Sequence, residues 1–294
     1  MTQILCIGSV LWDVIGRAER AMRLGNDVPG HITRLPGGVA MNIAMALVRE
    51  NLRPSVLTAI GLDAEGDELI RACNDLGVKA DLALRHADFP TDRYMAIEGE
   101  NGLIAAIADA HSLEAAGKAI IAPLLNGSLG SDEHPYRGVI CIDGNLTRDL
   151  LTRIATAPAF TRADLRVVPA SPGKAERIVP LMAHPNATLY VNLEEAGLLA
   201  TATFSDAPTA ARALLERGAK RVLVTDGALA VCDGSQGQPL LTMNPPAVRE
   251  ARVTGAGDTF MAAHIAAEIS GQDRAQALET ALQTAANYVA GETL

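Results

Sequence analysis

Short, nearly all-apolar runs alternate along the chain with longer stretches in which apolar residues recur every three or four positions. Runs at 4–8, 55–60, 139–143, 165–168, 188–191 and 221–225 predict strands. The 3.6-residue period predicts helices at 39–50, 65–76, 148–157, 174–182, 194–200, 207–217, 258–269 and 274–290. Strands without a polar face must be covered on both sides, as in a buried parallel sheet. The repeated strand-then-helix order therefore predicts an α/β fold with a doubly wound, mainly parallel sheet flanked by helices. One stretch departs from this order. Residues 91–98 and 103–108 are β-rich and are joined by Gly99-Glu100-Asn101-Gly102, which predicts a hairpin. Such a hairpin either covers a site as a lid or is a plain edge hairpin. Residues 126–138, rich in Gly, Ser, Asp and Pro, predict a loop.

Composition narrows the picture. The chain has 294 residues, and only 3% are aromatic, so its core must be built from Ala, Val, Leu and Ile. The net charge is −9 with no basic block, which argues against nucleic acid or an anionic membrane as the main partner. No apolar run approaches the roughly 18 residues of a membrane span. The first ten residues enter an apolar strand without the cationic region of a signal peptide, so a cytoplasmic protein is expected. Cys6, Cys73, Cys141 and Cys232 lie far apart, mostly in apolar segments, and are expected to be buried free thiols. The histidines show no spacing suited to zinc.

The candidate chemistry centres on Val253-Thr254-Gly255-Ala256-Gly257-Asp258-Thr259-Phe260. A glycine-rich turn that runs into a helix points several N–H groups at one spot, where the helix dipole adds positive potential. Phosphate suits such a place, and Asp258 would stand beside it. A carboxylate repels phosphate, so its presence makes sense if it takes a proton from an attacking hydroxyl. The bland alternative is a helix-capping Asp after a flexible turn. No P-loop, dinucleotide fingerprint, G-x-S-x-G or H-E-x-x-H occurs. Three further segments combine with this one. Pro36-Gly37-Gly38-Val39-Ala40-Met41-Asn42 opens a helix, either as a tight turn or as a place where a ligand meets backbone. Asn192-Leu193-Glu194-Glu195 follows an apolar strand and is either a capping box or a water-mediated magnesium site. Val224-Thr225-Asp226-Gly227 ends another strand in a small turn compatible with nucleotide contact.

In this order the segments resemble the PfkB (ribokinase-like) family of carbohydrate and nucleoside kinases, over essentially the whole chain. The resemblance implies a ribokinase-like fold in one domain spanning 1–294, with a small β-sheet lid from segments near 10–35 and 91–109. It implies ATP and Mg2+ as cofactors, a small-molecule acceptor, and a homodimer formed through the lid. Asp258 would be the general base, with the N–H groups of Gly255, Ala256 and Gly257 as the anion hole. Asp13, Gly38 and Asn42 would bind acceptor hydroxyls. Asn192 and Glu195 would organise Mg-ATP, Glu195 through water. Thr225 and Gly227 would line the nucleotide site, with Asn287 near the adenine. Many members carry Asp-Thr-Thr-Gly-Ala-Gly-Asp, whose first Asp lies near a monovalent-cation loop. This chain has Arg252 there, which leaves dependence on a monovalent cation open.

Within the family, four short stretches are similar to those of pseudouridine kinases. They are Val253–Asp258 without an Asp-Thr lead-in, Ala106-Ile107-Ala108-Asp109, Asp143-Gly144-Asn145-Leu146, and Pro169-Ala170-Ser171-Pro172-Gly173-Lys174-Ala175. That similarity implies ATP-dependent phosphorylation of the 5′-hydroxyl of pseudouridine, with a free sugar or another nucleoside as the alternative acceptor. Asp109 and Asn145 become candidate nucleoside contacts, and Lys174 a candidate to neutralise phosphate. Asp109 also reads as an exposed hairpin-end carboxylate, and Lys174 as a solvated helix start.

Overall fold

Strands that are apolar on both faces need two covering layers, and the chain supplies them. In a computed structural model, residues 3–23 and 25–292 are described. The strands β1 (Ile4–Ile7), β2 (Leu11–Arg17) and β3 (His31–Gly37) precede the helix α1 (Val39–Arg49). Next come β4 (Pro54–Leu57), β5 (Ala59–Gly61), α2 (Ala64–Asp75), β6 (Leu84–His86), β7 (Arg93–Gly99), β8 (Gly102–Asp109) and α3 (Ser112–Ala116). The middle of the chain forms β9 (Val139–Asp143), α4 (Arg148–Thr156), β10 (Asp164–Val168), α5 (Val179–Met182), β11 (Ala187–Asn192), α6 (Leu193–Ala200) and α7 (Ala207–Glu216). The remainder is β12 (Arg221–Thr225), β13 (Val231–Ser235), β14 (Leu241–Met243), α8 (Ala256–Ile269) and α9 (Arg274–Val289).

The main sheet has the order β14-β13-β12-β11-β10-β9-β1-β4. It is parallel from β4 to β12, and β13 and β14 are antiparallel additions at one edge. Alternate residues along each strand divide between two cores. Leu5, Ile7, Ile140, Ile142 and Val167 pack with α4, α6 and α7 on one face. Ile4, Cys6, Cys141, Tyr190 and Leu223 pack with α1, α8 and α9 on the other. The cysteines among the described residues are all buried free thiols. No helix among the described residues is long and apolar enough to cross a membrane.

The boundaries differ from expectation in a few places. The expected strand at 55–60 is split. Its second half, β5, pairs with β6 in a separate two-stranded sheet. The expected helix at 174–182 is a 3₁₀ run, Pro172–Ile178, followed by the single turn α5. Pro180 has no N–H to give a preceding carbonyl, so a regular α-helical ladder cannot run through it. The strands β2, β3, β7 and β8 form a second sheet of order β3-β2-β7-β8, drawn from residues 11–37 and 93–109.

One buried polar cluster joins α8 to the sheet near the N-terminal ends of β10 and β12. Glu268 accepts from Arg166 at 2.5 Å and from Arg221 at 2.6 Å. The Tyr190 hydroxyl lies 2.9 Å from His264 Nδ1 and accepts from Arg166 at 3.0 Å. Burial works to raise the Glu268 carboxyl, but Arg166, His264 and Arg221 outweigh it and hold it down at about 2. Glu268→Ala leaves a buried guanidinium, Arg166, and a half-buried one, Arg221, short of a partner. We expect it to lower unfolding free energy by about 3 kcal/mol, read from the urea midpoint. A loss below about 0.5 kcal/mol would show that the cluster contributes little to holding α8.

Candidate active site

In an open α/β sheet the C-terminal strand ends and the helices that follow them enclose a crevice. Here the crevice is a cavity of about 360 Å³. Val168, Asn192 and Thr225 reach it from the ends of β10, β11 and β12. Asn42, Glu195 and Asp258 reach it from α1, α6 and α8. No Lys, Arg or His lines it among the described residues. An anion here meets no cationic side chain, so backbone N–H groups, the neutral amides and hydroxyls of the lining, or a metal ion must hold it.

The backbone at the start of α8 is suited to that task. Gly255 caps the helix at φ 86°, a left-handed conformation that disfavours any residue with a Cβ. A Cβ there would also press on the Tyr288 hydroxyl. That hydroxyl donates to the Thr254 carbonyl at 2.9 Å and ties the turn to α9. Arg252 stacks 3.8 Å over the Tyr288 ring and bonds the Tyr288 carbonyl at 2.9 Å. Of the three N–H groups expected to form an anion hole, that of Ala256 donates to the Val253 carbonyl at 3.0 Å. Those of Gly255, Gly257 and also Asp258 meet no acceptor among the described residues and stay available.

Asp258 sits in the first turn of α8. Burial pushes its carboxyl up to about 7. The polar Asn42 side chain works against that shift, and the charges of Asp143 and Glu195 reinforce it. A carboxyl with this affinity is suited to exchange a proton near neutral pH.

Asn192 and Glu195 form a capping box. Asn192 Oδ1 accepts from the Glu195 N–H at 2.8 Å, and Glu195 Oε2 accepts from the Asn192 N–H at 2.9 Å. The capping reading of this pair is therefore realised, and it does not exclude a metal role. Glu195 is 7% exposed, and burial raises its carboxyl. Its Oε1 has no protein donor among the described residues and is left to the cavity. No group of three or more His, Cys, Asp or Glu among the described residues could hold a metal by itself. One open carboxylate oxygen fits magnesium, which keeps most of its water and takes other oxygens from phosphates.

The wall facing the small sheet is built around Asp143. This fully buried carboxylate at the end of β9 accepts from the N–H groups of Ser9 at 2.8 Å, Ala40 at 3.1 Å and Asn145 at 2.8 Å. Burial raises its carboxyl, and the three N–H groups oppose the shift. Asp13 on β2 lies over Gly37, where a Cβ would collide with its carboxylate. Burial pushes Asp13 up to about 6. Gly38 caps α1 at φ 90°, closely packed on Ser9.

A second cavity of about 460 Å³ adjoins the first through Asn192, Thr225, Gly257 and Phe260. Gly227, Val231, Pro246, Val248 and Ala286 give it a largely apolar lining. Asn287 is outside that lining, and its side chain accepts from Gln283 at 2.8 Å. Lys174 also lines neither cavity, and its ammonium donates to Asn145 Oδ1 at 2.7 Å. Asp109, at the exposed end of β8, pairs with His111 at 3.8 Å. Tyr190 and Phe260 line the first cavity, and Asp143 anchors its wall, yet composition and spacing marked none of them as site residues. An Asp that ends an all-apolar strand was the available signal for Asp143.

A model of the pfkB family of carbohydrate kinases matches residues 1–292. The chain belongs to that family. It is 26% identical over 287 residues to the pseudouridine kinase of Escherichia coli, covering 95% of this chain and 87% of that one. It is 26% identical over 259 residues to the pseudouridine kinase of Arabidopsis thaliana, covering 81% of this chain and 66% of that one. The ribokinase of Arabidopsis thaliana, solved with ribose and ATP, superposes with a TM-score of 0.79 at 20% identity, covering 98% and 92% of the two chains. The fold is ribokinase-like, and the protein is a phosphotransferase with an alcohol group as acceptor.

The balance of forces on Asp258 can be measured directly. In carboxyl-labelled protein, NMR should show one buried Asp titrating near pH 7. Asn42→Ala should move that titration upward, because a polar side chain favouring the ionised form is lost. A titration near 4, or a downward move in the variant, would contradict this account.

Proposed function

We propose that the protein phosphorylates the 5′-hydroxyl of pseudouridine with ATP and magnesium, giving pseudouridine 5′-phosphate. The observation that carries this reading is Asp258, a carboxyl that burial pushes toward the neutral form, standing in the first turn of a helix where the N–H groups of Gly255, Gly257 and Asp258 are open. The similarity to two pseudouridine kinases supports the choice of acceptor.

Asp258 takes the proton of the acceptor hydroxyl as the oxygen bonds to the γ-phosphorus, and ADP leaves with the electrons of the broken P–O bond. The N–H groups of Gly255 and Gly257, with that of Asp258, receive the charge of the transferring phosphoryl group. Ala256 keeps the turn in shape through its bond to Val253. Glu195, beside Asn192, would hold magnesium through water, and the ion would supply charge neutralisation at the phosphates. Thr225 and Gly227 line the path to the apolar second cavity, which suits an adenine. Asn287 lies behind that lining. Asp13, Gly38 and Asn42 take the ribose hydroxyls, and Asn145, with Lys174 docked on it, stands on the acceptor side. The small sheet acts as the lid, but Asp109 pairs with Arg93 at its anchored end, on the face away from Asp13, so the expected nucleoside contact from Asp109 has no support in the pairing.

The same sheet is the surface through which we expect a homodimer in the cytoplasm. Strand pairing places Ile32, Met95, Ile97 and Ile107 on the face opposite Asp13. Ile32 is 78% exposed and Ile107 69%, an unusual burden for a monomer. Light scattering should give a dimer that Ile107→Arg weakens. A monomer at micromolar concentration would remove the dimer from the reading.

ADP release should be measured across pseudouridine, uridine, adenosine, ribose, fructose 6-phosphate and 2-keto-3-deoxygluconate. Pseudouridine is expected to give the highest kcat/KM, and Asp258→Asn should lower kcat by about a thousandfold while ATP still binds. Turnover of a free sugar with none of pseudouridine would overturn the acceptor. Near-normal turnover in Asp258→Asn would overturn the base.

A further inference from the structure

Asp143 does not line the cavity, yet its bonds converge on one half of the site. Ser9, which donates at 2.8 Å, leads directly into β2 and Asp13. Ala40, at 3.1 Å, lies in the first turn of α1, between Gly38 and Asn42. Asn145, at 2.8 Å, is itself the third donor. These three segments come from distant parts of the chain and carry Asp13, Gly38, Asn42 and Asn145, the groups assigned above to contact the acceptor. The groups assigned to ATP, on α6, at the end of β12 and at the start of α8, make no bond to Asp143. The packing is closed on both sides. Gly8 rests against the carboxylate so closely that a Cβ would overlap it, and Gly38 is equally tight on Ser9.

From this we infer that Asp143 is the positioning residue of the acceptor half of the site, a buried carboxylate that sets acceptor affinity through three backbone segments. The inference rests on the division into acceptor and ATP walls made under the proposed function. An N–H aimed at a buried charge loses far more than one aimed at water when the charge is removed. In Asp143→Asn one oxygen is replaced by an amide NH2, which is a donor facing a donor. At least one of the three segments is then released.

Asp143→Asn should raise the KM for the acceptor about tenfold while the KM for ATP stays within about twofold. Gly8→Ala, which drives a methyl group into the same carboxylate, should give the same split. Asp233→Asn is the control. Asp233 is equally buried but is bound by Arg221 and Arg274 near the opposite end of the sheet, and its replacement should lower Tm without a split. Hydrogen exchange in the ligand-free protein gives a readout that needs no acceptor. Asp143→Asn should speed exchange at 8–13, 38–42 and 144–146 and leave 192–195 and 254–258 unchanged. Equal changes in both KM values, or uniform exchange across both walls, would overturn the inference. An inactive wild type with the expected exchange pattern would overturn the proposed function and leave the positioning role of Asp143 standing.

Discussion

A carboxylate cut off from water has to be satisfied by donors, and at Asp143 the donors are backbone N–H groups from two loops and the first turn of α1. This constraint organises the crevice. The ends of β1 and β9 and the start of α1 meet at one buried charge, so the loops after them cannot drift independently. Gly8 and Gly38 follow from it, since each leaves room where a Cβ would strike the Asp143 carboxylate or Ser9. Two left-handed or near-extended glycines and one buried acid thus form a single unit, although 135 residues separate Gly8 from Asp143 in the sequence.

The electrostatics of the site have the same economy. Asp13, Glu195 and Asp258 are all pushed toward the neutral form by burial, and no basic side chain lines the cavity among the described residues. Positive potential must come from the open N–H groups at the start of α8 and from any cation that enters with the nucleotide. That explains how a chain with net charge −9 can serve a polyanionic substrate. Arg252, the basic residue nearest the glycine turn in sequence, is stacked on Tyr288 and bonded to backbone. Its position makes it a strut for the turn that precedes α8.

The small sheet shows one element under two demands. Along β2, Asp13 and Ile15 alternate with Trp12 and Val14, so one face carries Asp13 over Gly37 and the other turns away. Near α2 the outer face is covered, with Arg34 stacked 4.2 Å from the Trp12 ring and Arg93 paired with Glu65 at 2.8 Å. Farther out it is bare and apolar. A sheet anchored at one end and exposed at the other is suited both to cover a ligand and to meet another surface.

Much of this was legible in the chain alone. The parallel sheet could be read because strands such as Val139–Asp143 are apolar at every position but the last, a pattern that only two-sided burial explains. The Gly255–Asp258 turn was legible because glycine freedom and a helix start are local properties. Asn192 and Glu195 were ambiguous for a physical reason. An i, i+3 spacing serves a capping box and a metal site equally, and here the box forms while one oxygen stays open. Asn287 and Lys174 could not be placed from sequence, since which side of a helix meets a cavity depends on how that helix packs. Lys174 lies against Asn145, and Ala286 takes the lining position beside Asn287. The sequence by itself determined the elements, their order and the chemistry at the strand ends, because periodicity and turn residues act over a few positions. The backbone N–H groups gathered at Asp143, the raised carboxyl of Asp258 and the meeting of strand ends at one crevice were decided by tertiary structure. Burial and convergence of distant backbone exist only once the layers have packed.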